Sequence, residues 1–252
     1  MEKIKIGVQL YTLRKYIKDA KSLAEVFKRC KTLGAEVVQL SGGASVKSAE
    51  LKRISEDNAL PICITHSPYK RIVDDLNRLA EEHLEFNCKN IGIGMMPQAF
   101  RTGKLDDISR FVEMLNITAE KLKPYGMTIA YHNHDFEFKK ADEKIIFDYM
   151  IENTLHEVQF IPDTFWIKVG GYEPQCYIER LKDRINTLHL KDYKKTFCLP
   201  VFRSIGKGNL NFDDILACAE KANVQNAVFE LDISPNPYKS VEFSLNYLKK
   251  IY

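Results

Sequence analysis

Short apolar runs separated by longer amphipathic stretches recur from one end of this chain to the other, and no other feature limits its possible folds as strongly. Eight runs have the composition of strands: residues 4–10, 36–40, 61–65, 90–94, 127–131, 158–162, 185–190 and 227–231. Most are continuous rather than alternating, as a parallel strand buried on both faces requires. The intervening stretches place apolar residues three and four positions apart. Leu23, Val26 and Phe27 form one such stripe, with Ser22-Leu23-Ala24-Glu25 reading as a capping box at its start. Further helices are expected over residues 72–86, 105–122, 145–151, 176–181, 212–222 and 241–251, the one after the fourth run being the longest. Gly34, Gly126 and Asn223 stand where a helix must end before the next strand. Residues 194–211 read as an extended loop. Strict alternation of strand and helix gives a parallel α/β sheet with right-handed crossovers, and eight units in 252 residues predict closure into a single (β/α)₈ barrel. An open doubly wound sheet is the alternative, but Leu10-Tyr11-Thr12-Leu13-Arg14 lacks the GxGxxG turn of a dinucleotide site.

No proline- or glycine-rich linker interrupts the pattern, so residues 1–252 are expected to form one domain. With 45% hydrophobic and 28% charged residues, a core of this size needs neither a disulfide nor a structural metal to fold. The six cysteines (Cys30, Cys63, Cys88, Cys176, Cys198 and Cys218) form no CxxC pair and mostly have apolar neighbours, which points to buried free thiols in a reducing compartment. A net charge of +3 with lysines and acids interspersed argues against nucleic acid or acidic lipid as a partner. The chain begins on a strand-like segment without a signal-peptide core, and no apolar run approaches the roughly 18–20 residues that span a bilayer. A soluble cytoplasmic protein is therefore expected.

In a barrel of this kind chemistry gathers just beyond the last residue of each strand. Four consecutive strand ends carry acids and imidazoles: His132-Asn133-His134-Asp135-Phe136-Glu137, then Asp163, then His189 with Lys191 and Asp192, then Glu230 with Asp232. His66 ends the third strand. A single strand-end histidine is more simply a hydrogen-bonding group, and a single acid a helix cap. Polar groups on adjacent strands in succession suit a divalent cation better. Hard carboxylate oxygen favours Mn²⁺ or Mg²⁺, and imidazole favours Fe²⁺, Co²⁺ or Zn²⁺. Such an ion polarises a substrate carbonyl while a neighbouring base moves a carbon-bound proton.

These residues resemble the sugar phosphate isomerase/epimerase family, whose fold is the xylose isomerase-like TIM barrel. The most specific stretch is Tyr131-His132-Asn133-His134-Asp135-Phe136-Glu137-Phe138. Asp163-Thr164-Phe165-Trp166, Gly170-Gly171, Arg184-Ile185 leading into Leu188-His189-Leu190-Lys191-Asp192, the loop Ile205-Gly206-Lys207-Gly208, and Phe229-Glu230-Leu231-Asp232 add to it. The opening Gly7-Val8-Gln9-Leu10-Tyr11-Thr12-Leu13-Arg14 also fits, so the likeness covers essentially the whole chain. The resemblance implies a divalent ion held by Glu, Asp, His and Glu from strands five to eight, with Mn²⁺ favoured and Zn²⁺, Co²⁺, Fe²⁺ or Mg²⁺ as alternatives. Asp163, His189 and Glu230 match the last three by position, but His132 stands where the family has glutamate. Either His132 is itself the ligand, or Glu137 reaches back to fill the place, or metal binding has weakened. His132 is preferred, because Glu137 lies five residues further along.

His134 shares the side-chain parity of His132 and is the candidate base, with orientation of a ligand as its alternative role. Glu137 is the reserve base. Lys191 is a candidate contact to a substrate oxygen or enolate, against a surface ion pair with Asp192. Trp166 is expected as an apolar wall for a sugar face, and Gln9, Gln39 and His66 as hydroxyl contacts. Lys207 stands where relatives often carry an acid, so no contact from that loop is carried over. The implied activity is that of a metal-dependent sugar isomerase or epimerase, or a keto-sugar lyase or dehydratase variant, working through an enediolate. The implied partner is a small-molecule sugar or sugar derivative, and a homo-oligomer is compatible with the composition of the helices. A non-catalytic sugar-binding barrel is the alternative that the missing first glutamate encourages. An abasic-site endonuclease is a further one, and it would require a multi-zinc cluster and a basic groove.

Overall fold

A computed structural model describes residues 3–197 and 199–252. Each apolar run becomes a strand of one parallel sheet: β1 (Lys5–Gln9), β2 (Val37–Leu40), β3 (Ile62–His66), β4 (Asn90–Ile93), β5 (Thr128–His132), β6 (Gln159–Ile161), β7 (Thr187–Leu190) and β8 (Asn226–Phe229). Hydrogen-bonded neighbours follow the order β6-β5-β4-β3-β2-β1-β8-β7. Parallel bridges between Phe160 and Ile185 and between Asp163 and His189 close the ring from β6 to β7. The result is the expected (β/α)₈ barrel.

The helices around it, among the described residues, are α1 (Ala20–Thr32), α2 (Ser48–Asp57), α3 (Tyr69–Asp74), α4 (Leu76–Glu85), α5 (Leu105–Leu122), α6 (Ile146–Asn153), α7 (Thr164–Val169), α8 (Pro174–Arg180), α9 (Phe212–Lys221) and α10 (Pro237–Ile251). Gly34, Gly126 and Asn223 take the left-handed conformation that ends a helix, with φ of 92°, 63° and 60°. Several expectations need correction. The cap of α1 is Asp19, which accepts from the Ser22 amide at 2.8 Å, while Ser22 Oγ accepts from the Asp19 amide at 2.9 Å. Ser22 is thus the partner of the box at the third helical position rather than its start. The helix expected over 72–86 is two, broken at Asp75 where φ is −144°. Helix α2 was not foreseen, since it buries only Leu51 and Ile54. Cys30, Cys63, Cys88 and Cys218 are buried free thiols, Cys176 is exposed, and Cys198 lies outside the described residues.

The stretch 194–211 is more ordered than an extended loop. Asp192–Thr196 and Leu199–Arg203 pair as an antiparallel hairpin, and the following turn is gathered onto one carboxylate. Asp192 Oδ2 accepts from the amides of Gly206 at 3.0 Å and Gly208 at 2.7 Å, and Oδ1 from those of Tyr193 at 2.8 Å and Leu210 at 3.3 Å. A Cβ at position 208 would lie 2.1 Å from Asp192 Oδ1, so only glycine permits this approach.

Side-chain parity inside the barrel positions everything that follows. Val37, Ile64, Ala130, Ile161 and Val228 pack together in one buried cluster, each large aliphatic contributing about 1.5–3 kcal/mol by leaving water. Two residues further along the same inward rows come Gln39, His66, His132, Asp163 and Glu230. The apolar plug thus forms the floor, and the polar row above it opens at the C-terminal mouth. No helix is long and apolar enough to cross a membrane.

Candidate functional site

His132, Asp163, His189 and Glu230 converge at this mouth, each offering one ligand atom with all four within 4.8 Å of one another. All four residues are buried. The outer nitrogen of each imidazole is tied to an oxygen: His132 Nδ1 lies 3.1 Å from the Gly94 carbonyl, and His189 Nε2 lies 2.6 Å from Gln39 Oε1. Their inner nitrogens face the carboxylates, His132 Nε2 at 3.3 Å from Asp163 Oδ2 and His189 Nδ1 at 3.0 Å from Glu230 Oε2. Asp163 divides its labour. Its Oδ1 caps α7 by accepting from the amides of Phe165 at 2.9 Å and Trp166 at 3.1 Å, which leaves Oδ2 for the centre. A helix-cap role for this strand-end acid therefore leaves its second oxygen free to face the other three residues.

Two atoms of this group, His189 Nδ1 and Glu230 Oε2, are buried without completing a hydrogen bond despite their proximity. Short distances in directions that suit no hydrogen bond are what donors arranged around a spherical cation present. Outer oxygens that fix the imidazole tautomer are the support a metal-ligating histidine ordinarily has. The residues present therefore fit a divalent ion with two nitrogen and two carboxylate donors.

Charge is closely balanced here. Burial opposes ionisation of Asp163, but Lys191 and the two imidazoles outweigh it and hold the carboxyl well below its usual range. Glu230 is held low against burial by Lys191 and His189. Lys191 is buried rather than a surface residue, and it pairs not with Asp192 but with Asp163 Oδ2 at 3.1 Å, Glu230 Oε2 at 3.0 Å and Asp232 Oδ1 at 3.2 Å. Burial works against its ammonium, yet these three acids keep it charged. Asp232 itself is pushed up to about 6, chiefly by burial.

His134 stands beside the group, its ring edge-on to His132 at 4.7 Å and tilted against Trp166 at 5.4 Å. Burial and the neighbouring His132 push its pKa down to about 2, so it is a neutral imidazole with a buried, unpartnered Nδ1. Glu137 points elsewhere. Its carboxylate bonds to the Tyr131 hydroxyl and accepts from the His134 amide at 2.8 Å, away from the four-residue group and from the cavity lining. Glu137 therefore neither replaces the missing glutamate nor faces a substrate as a base. Burial raises its pKa to about 7.

The mouth opens into a cavity of about 930 Å³. Of the expected substrate contacts, His66 and Trp166 line it, whereas Gln9 and Gln39 are fully buried and do not. Gln39 supports His189, and Gln9 Oε1 accepts from the Tyr11 amide at 3.1 Å. The sequence reading missed Phe202, which the hairpin carries to within 4.2 Å of the Phe165 ring and 5.6 Å of Trp166, completing an aromatic wall. It also missed Arg101, which lines the cavity from beyond β4 and lies in a segment with no periodic pattern to reveal it.

Residues 27–251 match the family described as xylose isomerase-like TIM barrel. No curated protein matches the chain. Among solved structures, a sugar phosphate isomerase/epimerase from Parabacteroides distasonis is similar at 23% identity over 99% of this chain and 94% of that one, with a TM-score of 0.80. The probable 3-DHS dehydratase AsbF of Bacillus anthracis is similar at 12% identity over 98% and 99%, with a TM-score of 0.76. A xylose isomerase-like TIM barrel protein from Mycobacterium smegmatis in complex with magnesium is similar at 13% identity over 100% and 98%, with a TM-score of 0.75. At these identities the structures share the fold. Taken with the match over nearly the whole sequence, the chain belongs to the xylose isomerase-like TIM barrel family.

Proposed function

We propose that this protein is a divalent-metal-dependent enzyme that removes a proton next to the carbonyl of a sugar or sugar derivative, giving isomerisation, epimerisation or the elimination that shares the same first step. The observation that carries this reading is the orientation of two imidazoles, each tied outward to an oxygen and aimed inward at a carboxylate. His132, Asp163, His189 and Glu230 would hold the cation, with Mn²⁺ as the expected ion. A bound divalent cation supplies Lewis acidity, which acidifies the C–H next to a substrate carbonyl. His134, adjacent to His132 and lining the same cavity, accepts that proton. Glu137 grips the His134 amide and so sets where the imidazole stands. Lys191, kept charged by three acids, balances negative charge that develops on the substrate oxygen. Trp166 and Phe202 offer apolar faces to the sugar ring and keep water from the reacting carbon. The isomerase/epimerase and dehydratase names of the similar structures support the same class of reaction.

Elemental analysis of the purified protein tests this, alongside His132→Ala and Glu137→Ala. The expected result is one divalent ion per chain in the wild type and in Glu137→Ala, and its loss in His132→Ala. Absence of metal from every preparation, with no uptake on reconstitution, would reject the mechanism and leave a sugar-binding barrel as the better description.

A further inference from the structure

We infer that the substrate carries an anionic group, a carboxylate or a phosphate, and that Arg101 receives it at a distance from the reacting carbon. The inference rests on the barrel mouth being a sugar site, as proposed above. Arg101 follows the short 3-10 turn Gln98–Phe100 beyond β4 and lines the same cavity as His132, His134 and Glu230. A row of rings leads out to it from the metal-ligand group. His134 meets His132 at 4.7 Å, Phe136 stacks on His134 at 5.8 Å with planes 12° apart, and the Arg101 guanidinium lies 5.1 Å from the centre of the Phe136 ring. The arginine therefore stands at the far end of the wall from the four ligand residues.

Its guanidinium has no acidic partner among the described residues, and its Nε is buried without an acceptor. Asp135 lines the same cavity but makes no ion pair with it. Arg14, the other arginine at this mouth, is already committed, donating to the Tyr11 carbonyl at 2.7 Å and the Asp232 carbonyl at 3.1 Å. Arg101 is half-buried, and the Nε–H that it withdraws from solvent without an acceptor is costly unless a ligand completes it. A sugar hydroxyl could accept from Nε–H but would leave the charge unanswered. A carboxylate or phosphate answers both, since its paired oxygens match the planar fork of a guanidinium. The cavity of about 930 Å³ leaves room for such a group beyond a single sugar ring.

Isothermal titration at constant ionic strength would compare neutral hexoses with their uronic acids and 6-phosphates on wild type, Arg101→Met and Arg101→Lys, with metal content measured for each. At least one acidic sugar should bind roughly tenfold or more tightly than its neutral parent. Arg101→Met should erase that preference while leaving neutral-sugar binding and metal content unchanged, and Arg101→Lys should restore part of it. Whether the uronic acid or the phosphate gains more identifies the anion. Equal binding of neutral and acidic sugars, or a preference that survives in Arg101→Met, overturns the assignment of Arg101 alone. Failure of every sugar to bind overturns it together with the sugar-enzyme reading.

Discussion

Arg184, at the foot of β7, and Arg101, above the top of β4, are both arginines without an acid beside them, and the two ends of the barrel treat them oppositely. Arg184 donates to the carbonyls of Ile151, Leu155 and Val158 and to Thr154 Oγ1 at 2.7–3.2 Å, pinning the end of α6 to the entry of β6. Nearby, Asn90 Nδ2 donates to the Cys63 carbonyl at 2.8 Å, and Asn90 Oδ1 accepts from Thr128 Oγ1 at 2.8 Å. At the other end, Gln9, Gln39, His66, Arg101, His134 and Trp166 each leave a buried polar atom unpartnered, and His189 and Glu230 each have one that makes ion-pair contacts but no hydrogen bond; among the described residues only Gln175 leaves such an atom away from the mouth. Proteins rarely tolerate such atoms without a ligand or water to complete them. The satisfied end suits a stabilising role, and the unsatisfied end suits the binding role proposed for it.

The comparison can be broken by substitutions that cross it. The largest effect is expected from Arg184→Met, which strands four acceptors and should lower unfolding free energy by about 3 kcal/mol, read from urea midpoints, with metal content unchanged. Loss of metal at unchanged stability would contradict the division of labour. A smaller effect should follow from Gln39→Leu, which removes the oxygen holding His189 Nε2. Metal affinity measured by competition with a chelator should fall about tenfold or somewhat more, and stability should hardly move. The smallest effect concerns Glu137, whose carboxyl is raised from 4.5 to about 7. Between those values the folded state holds more protons than the unfolded one, so this group's contribution declines as pH rises through the window. Glu137→Gln cannot ionise and should flatten that part of the stability–pH curve. An unchanged slope would place the ionisation elsewhere.

Much of this architecture could be read from residue order. A parallel strand buried on both faces must be a continuous apolar run, so eight such runs announce the barrel, and polar residues at or just past the ends of the later runs stand at its mouth. Asp163, His189 and Glu230 were visible for that reason, and the structure brings His132 to them. What stayed hidden depends on loops or thin stripes. Helix α2 buries too few residues to show a period, and the hairpin of residues 192–203 has one charged strand and one half-buried strand too short to show alternation. The direction of Glu137 follows from a 3-10 turn over Phe136–Phe138, which turns the carboxylate back to Tyr131 and which sequence spacing does not encode.

The ring of strands is joined least continuously between β6 and β7, where pairing is limited to two isolated bridges, one of them between Asp163 and His189. The residues that face each other across this seam also belong to the four-residue group. On the proposed reading, a cation held by Asp163 and His189 together would also be a clasp on the barrel itself. A cation bound there would thus tie β6 to β7 where the sheet itself ties them least.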